Sequence, residues 1–401
     1  MRPFTHTIPF DEARAIINGA VRAIDRRERV ALGAADGRVC SADVVSSRDV
    51  PPFSRAAMDG YAVIAADTSG ASRDTPKTLR LVERIYTGQM PVSALVSGAC
   101  AEIATGAPVP AGADAVVMVE ETELDGERVR IFAAAHPRQN IGRQGSDIGA
   151  GQIVLRAGDV LTPSRIGALA ALGVGEVEVF ARPTVAILST GNEIVEPGHD
   201  LKPGQIYDIN TFTLGAIVRA NGGVAVPVAT AQDTLDALDR AMDACLACDV
   251  LVFSGGSSVG ERDLILDAIR RRGEVLFHGI ALRPGKPTAF ALVQGKPVFG
   301  MPGNPTSCLS NAYVLFAPAL RQIARLPALG PRTVRLPLAS RIVSTAGRHQ
   351  IYTVRVVDGA VLPAFKASGD ITSMSQADGY IEIPAATEVV EAGERVEVVL
   401  F

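Results

Sequence analysis

The sequence predicts a multidomain α/β and β protein: a doubly wound α/β domain, a β-rich domain, a discontinuous α/β linker domain and a small carboxy-terminal β-barrel. Three observations carry that expectation. The chain has 401 residues, too many for one ordinary core, and its 47% hydrophobic content can fill several. After residue 183, four short apolar runs, "TVAILS", "VAVPVA", "DVLVFS" and "KPVFGM", alternate with helical segments, the pattern of buried parallel strands. On either side lie stretches of short β-branched runs broken by Gly, Pro and Asp.

Taken in order, residues 10–26 place Ala13, Ile16, Ile17, Ala20, Val21 and Ile24 at helical spacing, with Asp11 and Glu12 suited to the positive amino-terminal end. Residues 49–137, including "TLRLVERI", "AVVMVEET" and "RVRIFAA", read as the β-rich second domain. Residues 138–182, with "TPSRIGALAALGVGEVEV", return to turn and helix material. They are expected to pack back against the opening helix, so that 1–48 and 138–182 form one discontinuous domain. Residues 183–326 form the α/β domain, with helices near 210–221, 234–247, 261–272 and 305–325. The Pro and Gly of "RLPALGPRT" mark a linker, and 327–401, with "QIYTVRVV", "GYIEIP" and "RVEVVL", reads as the last β domain.

Composition excludes several classes. A net charge of -4 and the lack of a dense Lys/Arg run give no general attraction for nucleic acid or anionic lipid. No run approaches the length of a membrane span and the amino terminus lacks a signal peptide's apolar core, so a cytoplasmic protein is expected. Five cysteines make no disulfide framework, and Cys245, on one helical face with Leu235, Leu238 and Met242, reads as a core residue rather than a metal ligand. The five histidines are scattered, and no Ser-His-Asp or Cys-His arrangement stands out.

Chemistry gathers at the ends of the four apolar runs. They are followed by Thr190-Gly-Asn-Glu193, Thr230-Ala-Gln-Asp233, "SGGSSVGERD" (254–263) and "MPGNPTS" (301–307). In an open parallel sheet ligands bind beyond these strand ends, and glycines with helix amino termini suit a phosphate. Neither a Walker loop nor a dinucleotide fingerprint is present. Glu193, Asp233 and Asp263 would repel a phosphate unless a divalent cation intervened, and Mg²⁺ suits this mixture of carboxylates and glycines. The same residues also serve as ordinary caps: Asn304-Pro305 begins a helix well, and Asp233 suits the start of "TLDALDRAMDA". In "ALRPGKPTAFA", Arg283 and Lys286 flank a Pro-Gly turn and suit a small oxyanion.

Together "PPFSRAAMDGYAV", "TGAPVPAGADAVVMVEET", "GSDIGAG", "STGNEI", "GQIYDIN", "SGGSSVGERD", "LRPGKP" and "MPGNPTS" resemble, in order and across nearly the whole chain, the MoeA family of molybdopterin molybdenumtransferases, related to the carboxy-terminal domain of gephyrin. The resemblance implies a four-domain homodimer. Its active site lies between the α/β molybdopterin-binding domain of one subunit and the β-rich second domain of the other. It implies insertion of molybdate into adenylylated molybdopterin, assisted by Mg²⁺, with release of AMP. By motif, Asp59, Thr105, Asp147, Glu193, Asp233 and Asp263 fall at active-site positions, Glu193 and Asp263 being metal ligands. Arg283, Lys286, Ser307, Arg348 and Ser368 fall where molybdate is held, and Asp208, Ser254, Gly255, Gly256, Ser257, Pro302 and Asn304 at further substrate-binding positions.

Three positions depart from the family. Gly142 stands where members often carry Arg, Arg283 where they usually carry Lys, and Ser257 where they carry Val; Arg143 is the nearby candidate to replace the charge absent at Gly142. Two other functions fit parts of the chain: adenylylation of molybdopterin, against which "AMDGYAV" and "TGAPVP" argue, and a non-catalytic gephyrin-like scaffold, against which the retained carboxylates argue. Transient contact with the adenylyltransferase and with recipient molybdoenzymes is expected of an insertase.

Overall fold

The computed structural model describes residues 7–231, 234–255 and 264–401. The described residues divide into two compact units, one drawn from 7–28, 37–39 and 179–401, the other from 29–36 and 40–178.

The larger unit is organised on a six-stranded sheet in the spatial order Val224–Ala231, Thr184–Thr190, Val250–Ser254, Lys296–Met301, Ala289–Val293, Gly273–His278. The first four strands are parallel and coincide with the four apolar runs. Their uniform hydrophobicity follows from burial on both faces. Val185, Ile187, Val250, Val252 and Phe299 face one core, while Ala186, Leu188, Leu251, Phe253 and Val298 face the other. The last two strands are antiparallel additions at the edge. Sequence pattern did not announce them, because "ALRPGKPTAFA" is dominated by its turn residues. Phe277, Phe290, Phe299 and Phe316 run through this side of the core with successive ring centroids 6.0, 4.9 and 5.1 Å apart.

Helices Asn210–Ala220, Leu235–Cys245 and Leu264–Arg272 connect the strands. Thr234, not Asp233, caps the second: its hydroxyl accepts from the Ala237 amide at 3.3 Å, and Asp233 lies outside the described residues. Cys245 is buried in the core, as its spacing requires, and burial pushes its thiol up to about 11. The expected 305–325 helix is Pro305–Asn311 and Ala317–Ile323 joined through a π turn at Ala312–Phe316.

The opening helix covers Phe10–Ala20 and buries Phe10, Ala13 and Ile17 in the same core as Val185 and Phe299. Its expected packing against 138–182 is thereby corrected, as is its expected length. Asn18 and Gly19 are poor helix residues, and from Val21 the chain is extended. Ile24 then gives its amide to the Ile323 carbonyl at 2.9 Å and accepts from Arg325 Nε at 2.6 Å.

The carboxy-terminal β sheet orders Leu282–Arg283, His349–Val357, Gly379–Ile383, Arg395–Leu400 and Thr333–Pro337, with Ala360–Pro363 on His349–Val357. Val354, Ile381 and Val398 lie in its core. Leu282–Arg283 belongs to the α/β sequence yet pairs in parallel with His349–Gln350, so this sheet is stitched to the turn that carries Arg283.

The second unit has its own six-stranded sheet, ordered Ala115–Met118, Gly60–Val63, Ala99–Ile103, Lys77–Ile85, Arg128–Ile131, Thr122–Asp125. Apolar clusters around Tyr61 and Val117, and around Ala62 and Val116, cover its two faces. Val44–Val45 pairs antiparallel with Ile153–Leu155, and helix Pro163–Ala171 starts at the Thr162 cap. Among the described residues no helix is long and apolar enough to cross a membrane.

Candidate active site

The parallel strands end in register: Ser189 lies opposite Ser254, and Ser254 opposite Met301. A row of strand carboxyl ends thus faces one direction, where ligands bind in such sheets. Asn210, at the start of the helix that follows "GQIYD", fastens the row. Its Nδ2 donates to Ser254 Oγ at 2.6 Å and to the Gly303 carbonyl at 2.8 Å. Asp208 accepts through Oδ1 from the Thr211 amide at 3.0 Å and from the Ser189 hydroxyl at 3.1 Å, serving as a helix cap while its carboxylate stays at the site.

The glycines here are required by close approach. A Cβ on Gly255, where φ is +102°, would sit 2.4 Å from the Thr190 carbonyl oxygen. Gly285, with φ +103°, would meet the Asn311 side-chain nitrogen at 2.3 Å.

Beyond the strand ends lies a cavity of about 1190 Å³. Of the residues singled out from sequence, Glu193, Asp208, Ser254, Gly255, Arg283 and Lys286 line it. Pro302, Asn304, Ser307, Arg348 and Ser368 line it as well. Asp233, Gly256, Ser257 and Asp263 lie outside the described residues.

Arg283 and Lys286 sit on a turn braced from beneath. Asn311, fully buried, donates to the Gly285 carbonyl at 3.1 Å and to Thr288 Oγ1 at 2.5 Å, and the Thr288 hydroxyl donates to the same carbonyl at 2.8 Å. The Arg283 guanidinium donates to Thr345 Oγ1, and strand pairing of Leu282–Arg283 with His349–Gln350 brings Arg348 beside the turn. Ser368 reaches the site through Asn304: Asn304 Nδ2 donates to Ser368 Oγ at 3.1 Å, and the Thr306 amide to the Ser368 carbonyl at 3.1 Å. Four cationic side chains, Arg283, Lys286, Arg348 and Lys366, thus line the cavity, a set suited to a small multiply charged oxyanion.

The residues also fit a hard divalent cation. Glu193 lines the cavity, and its carboxylate lies over Gly191, so close that a Cβ there would meet it at 2.7 Å. Among the described residues no group of three or more His, Cys, Asp or Glu lies together. Cys308, closest to the site, is fully buried, and burial pushes its thiol up to about 12.

Asp59, Thr105 and Asp147 belong to the second unit. There Asp59 Oδ1 accepts from the Thr105 amide at 2.7 Å and the Thr105 hydroxyl at 2.9 Å, and these bonds hold the Asp59 carboxyl below the usual carboxylate range. Asp147 is exposed, on a loop whose amide bonds back to Val50 at 3.0 Å. Gly142 lies opposite Arg55 in an antiparallel pair, and a Cβ at 142 would meet Arg55 Cγ at 3.6 Å. Strand pairing thus sets a second cation, Arg55, beside Gly142, which chain adjacency alone does not reveal.

Sequence reading missed Asn210, Asn311, Thr345, Lys366 and Tyr207. Tyr207 stood in plain view inside "GQIYDIN"; Asn311 carried no local signal, since its importance lies in what it braces.

Three family descriptions match the chain in succession. Residues 8–173 match "MoeA N-terminal region (domain I and II)", residues 186–322 "Probable molybdopterin binding domain", and residues 335–401 "MoeA C-terminal region (domain IV)". A Mycobacterium tuberculosis protein named molybdopterin molybdenumtransferase 2 is 37% identical over 380 residues, covering 92% of this chain and 94% of that protein. A Haemophilus influenzae molybdopterin molybdenumtransferase is 34% identical over 318 residues, 79% of this chain and 78% of that one. Crystal structures of two molybdopterin biosynthesis MoeA proteins of Pyrococcus horikoshii align with TM-scores of 0.86 and 0.82 at 38% and 30% identity. They cover 98% and 99% of this chain and 99% and 100% of those chains. With all three regions matched in order and the relatives spanning nearly its full length, this chain belongs to the MoeA family.

Proposed function

We propose that the protein is a molybdopterin molybdenumtransferase of molybdenum cofactor biosynthesis, inserting molybdate into adenylylated molybdopterin with Mg²⁺-dependent release of AMP. The observation that carries this reading is that Arg283, Lys286 and Arg348 line one cavity together with the Ser254–Gly255 strand end. Molybdate is a dianion. A planar guanidinium fork and compact ammonium on a braced turn hold such an ion without rearrangement, which lowers the cost of placing it beside the reacting sulfurs. Ser307 and Ser368 line the same cavity.

The strand-end loop at Ser254 and Gly255, at the carboxyl ends of parallel strands, suits the phosphate portion of the substrate. Glu193, with Asp263, would hold the Mg²⁺, which neutralises charge on the departing phosphate when bound. Asp59, kept ionised by Thr105, and Asp147 complete the proposed active-site set, together with Thr105, Asp233 and the remaining loop residues Gly256 and Ser257. The reading also includes a homodimer, a cytoplasmic setting, and transient hand-over from the adenylyltransferase and to recipient molybdoenzymes.

The test is incubation of the pure protein with adenylylated molybdopterin, molybdate and Mg²⁺, measuring AMP and active cofactor. Both products are expected. ATP-dependent adenylylation of free molybdopterin in their place would replace this reading with that of the preceding enzyme.

A further inference from the structure

The rim of the cavity that carries the cations contrasts with a short ribbon made by Ile194–Val195 and Ile206–Tyr207, which also lines it. On and beside that ribbon Leu201, Ile206 and Tyr207 are 42%, 55% and 42% exposed. Three large apolar side chains left uncovered in the wall of a cavity gain burial when a flat, partly apolar ligand lies on them. Tyr207 is also oriented: its hydroxyl donates to the His199 carbonyl at 2.9 Å, which anchors the ring at its far end. The next residue, Asp208, uses Oδ1 for Thr211 and Ser189. Among the described residues no hydrogen-bond donor reaches its Oδ2.

We propose that Tyr207 and Asp208 form the subsite for the pterin ring, with the ring lying over Tyr207 and Asp208 Oδ2 accepting from its amino edge. The inference rests on the molybdopterin reading above and names the residues that read the ring. A pterin presents an amino group and a ring N–H side by side, two donors that suit a carboxylate acceptor. Adenine places its amino group next to an acceptor nitrogen, which the carboxylate repels. The pair therefore distinguishes the pterin from the adenine of the same substrate. Stacking supplies affinity and the carboxylate supplies selectivity.

The test uses free molybdopterin as the probe, without molybdate or Mg²⁺, and follows its fluorescence on titration with the full-length protein. Tyr207→Ala is expected to raise the Kd about tenfold or more, the scale of losing an aromatic stacking platform, whereas Tyr207→Phe, which keeps the ring, stays within about threefold. Guanosine, which shares the paired donors, is expected to compete with the pterin, and adenosine is not. Asp208→Asn, checked for native circular dichroism, is expected to abolish that preference. Wild-type affinity in Tyr207→Ala, or equal competition by guanosine and adenosine, overturns the subsite while leaving AMP release by the wild-type protein intact. Failure of the wild-type protein to bind molybdopterin at all overturns both this inference and the function on which it rests.

Discussion

The two rims of the cavity are built in opposite ways. The turn bearing Arg283 and Lys286 is braced by a buried asparagine, a buried threonine and a strand pair to the carboxy-terminal sheet. The ribbon bearing Tyr207 has two-residue strands and exposed apolar side chains. The contrast follows from what each is proposed to hold. A small dianion is recognised by charge at fixed positions, so its site must be rigid before the ion arrives. A large planar ring is recognised by area, which a ribbon provides without deep burial.

The largest effect that would break this contrast comes from the braced rim. Arg283→Ala is expected to lower kcat/KM for AMP release on the order of 100-fold, with the loss mainly in KM for molybdate, because a charge-assisted contact to the oxyanion disappears. Steady-state kinetics at varied molybdate checks it. Next, Gly285→Ala is expected to cost about 2 kcal/mol or more of stability, since the new Cβ collides with Asn311 at a backbone conformation that favours glycine. Urea unfolding reads that loss. On the ribbon, Tyr207→Ala is expected to weaken pterin binding about tenfold while leaving unfolding near that of the wild type.

The smallest effect serves as a control distant from both rims. Asp249 is held by Arg26 at 2.6 and 2.9 Å and by the Thr184 amide and hydroxyl at 2.8 and 2.9 Å. Burial raises its carboxyl pKa, but the Arg26 and Thr184 hydrogen bonds outweigh burial and leave it below the usual carboxylate range. A depressed folded pKa means that the stabilisation is present above the usual carboxylate range and is lost as pH falls through the folded value. Asp249→Asn is expected to cost about 1 kcal/mol at neutral pH, with the difference from the wild type shrinking on acidification in urea melts.

Much of this architecture is legible in the amino-acid order because its causes are local. The four parallel strands announce themselves as unbroken apolar runs, since both faces are buried, and Thr190, Ser254 and Met301 mark where those runs end. Cys245 is legible as core from its helical spacing with Leu238 and Met242. What escapes the sequence is long-range pairing. The opening helix shares a core with Val185 and Phe299, far along the chain, and strand pairing sets Arg55 opposite Gly142. Likewise Arg348 and Ser368 reach the cavity through a strand pair and a single side-chain hydrogen bond, neither of which leaves a periodic trace. The cations and carboxylates are individually visible; the asparagines that hold them in place are not.

The measurement that bears most directly on the central claim is the ratio of AMP released to molybdenum incorporated, taken with the wild-type protein and with Arg283→Ala at limiting molybdate. Equal yields of AMP and molybdenum cofactor from the wild type, both falling together in the variant and recovering as molybdate is raised, are predicted. AMP release without molybdenum incorporation in the wild type, or a variant that incorporates molybdate as well as the wild type, would contradict it.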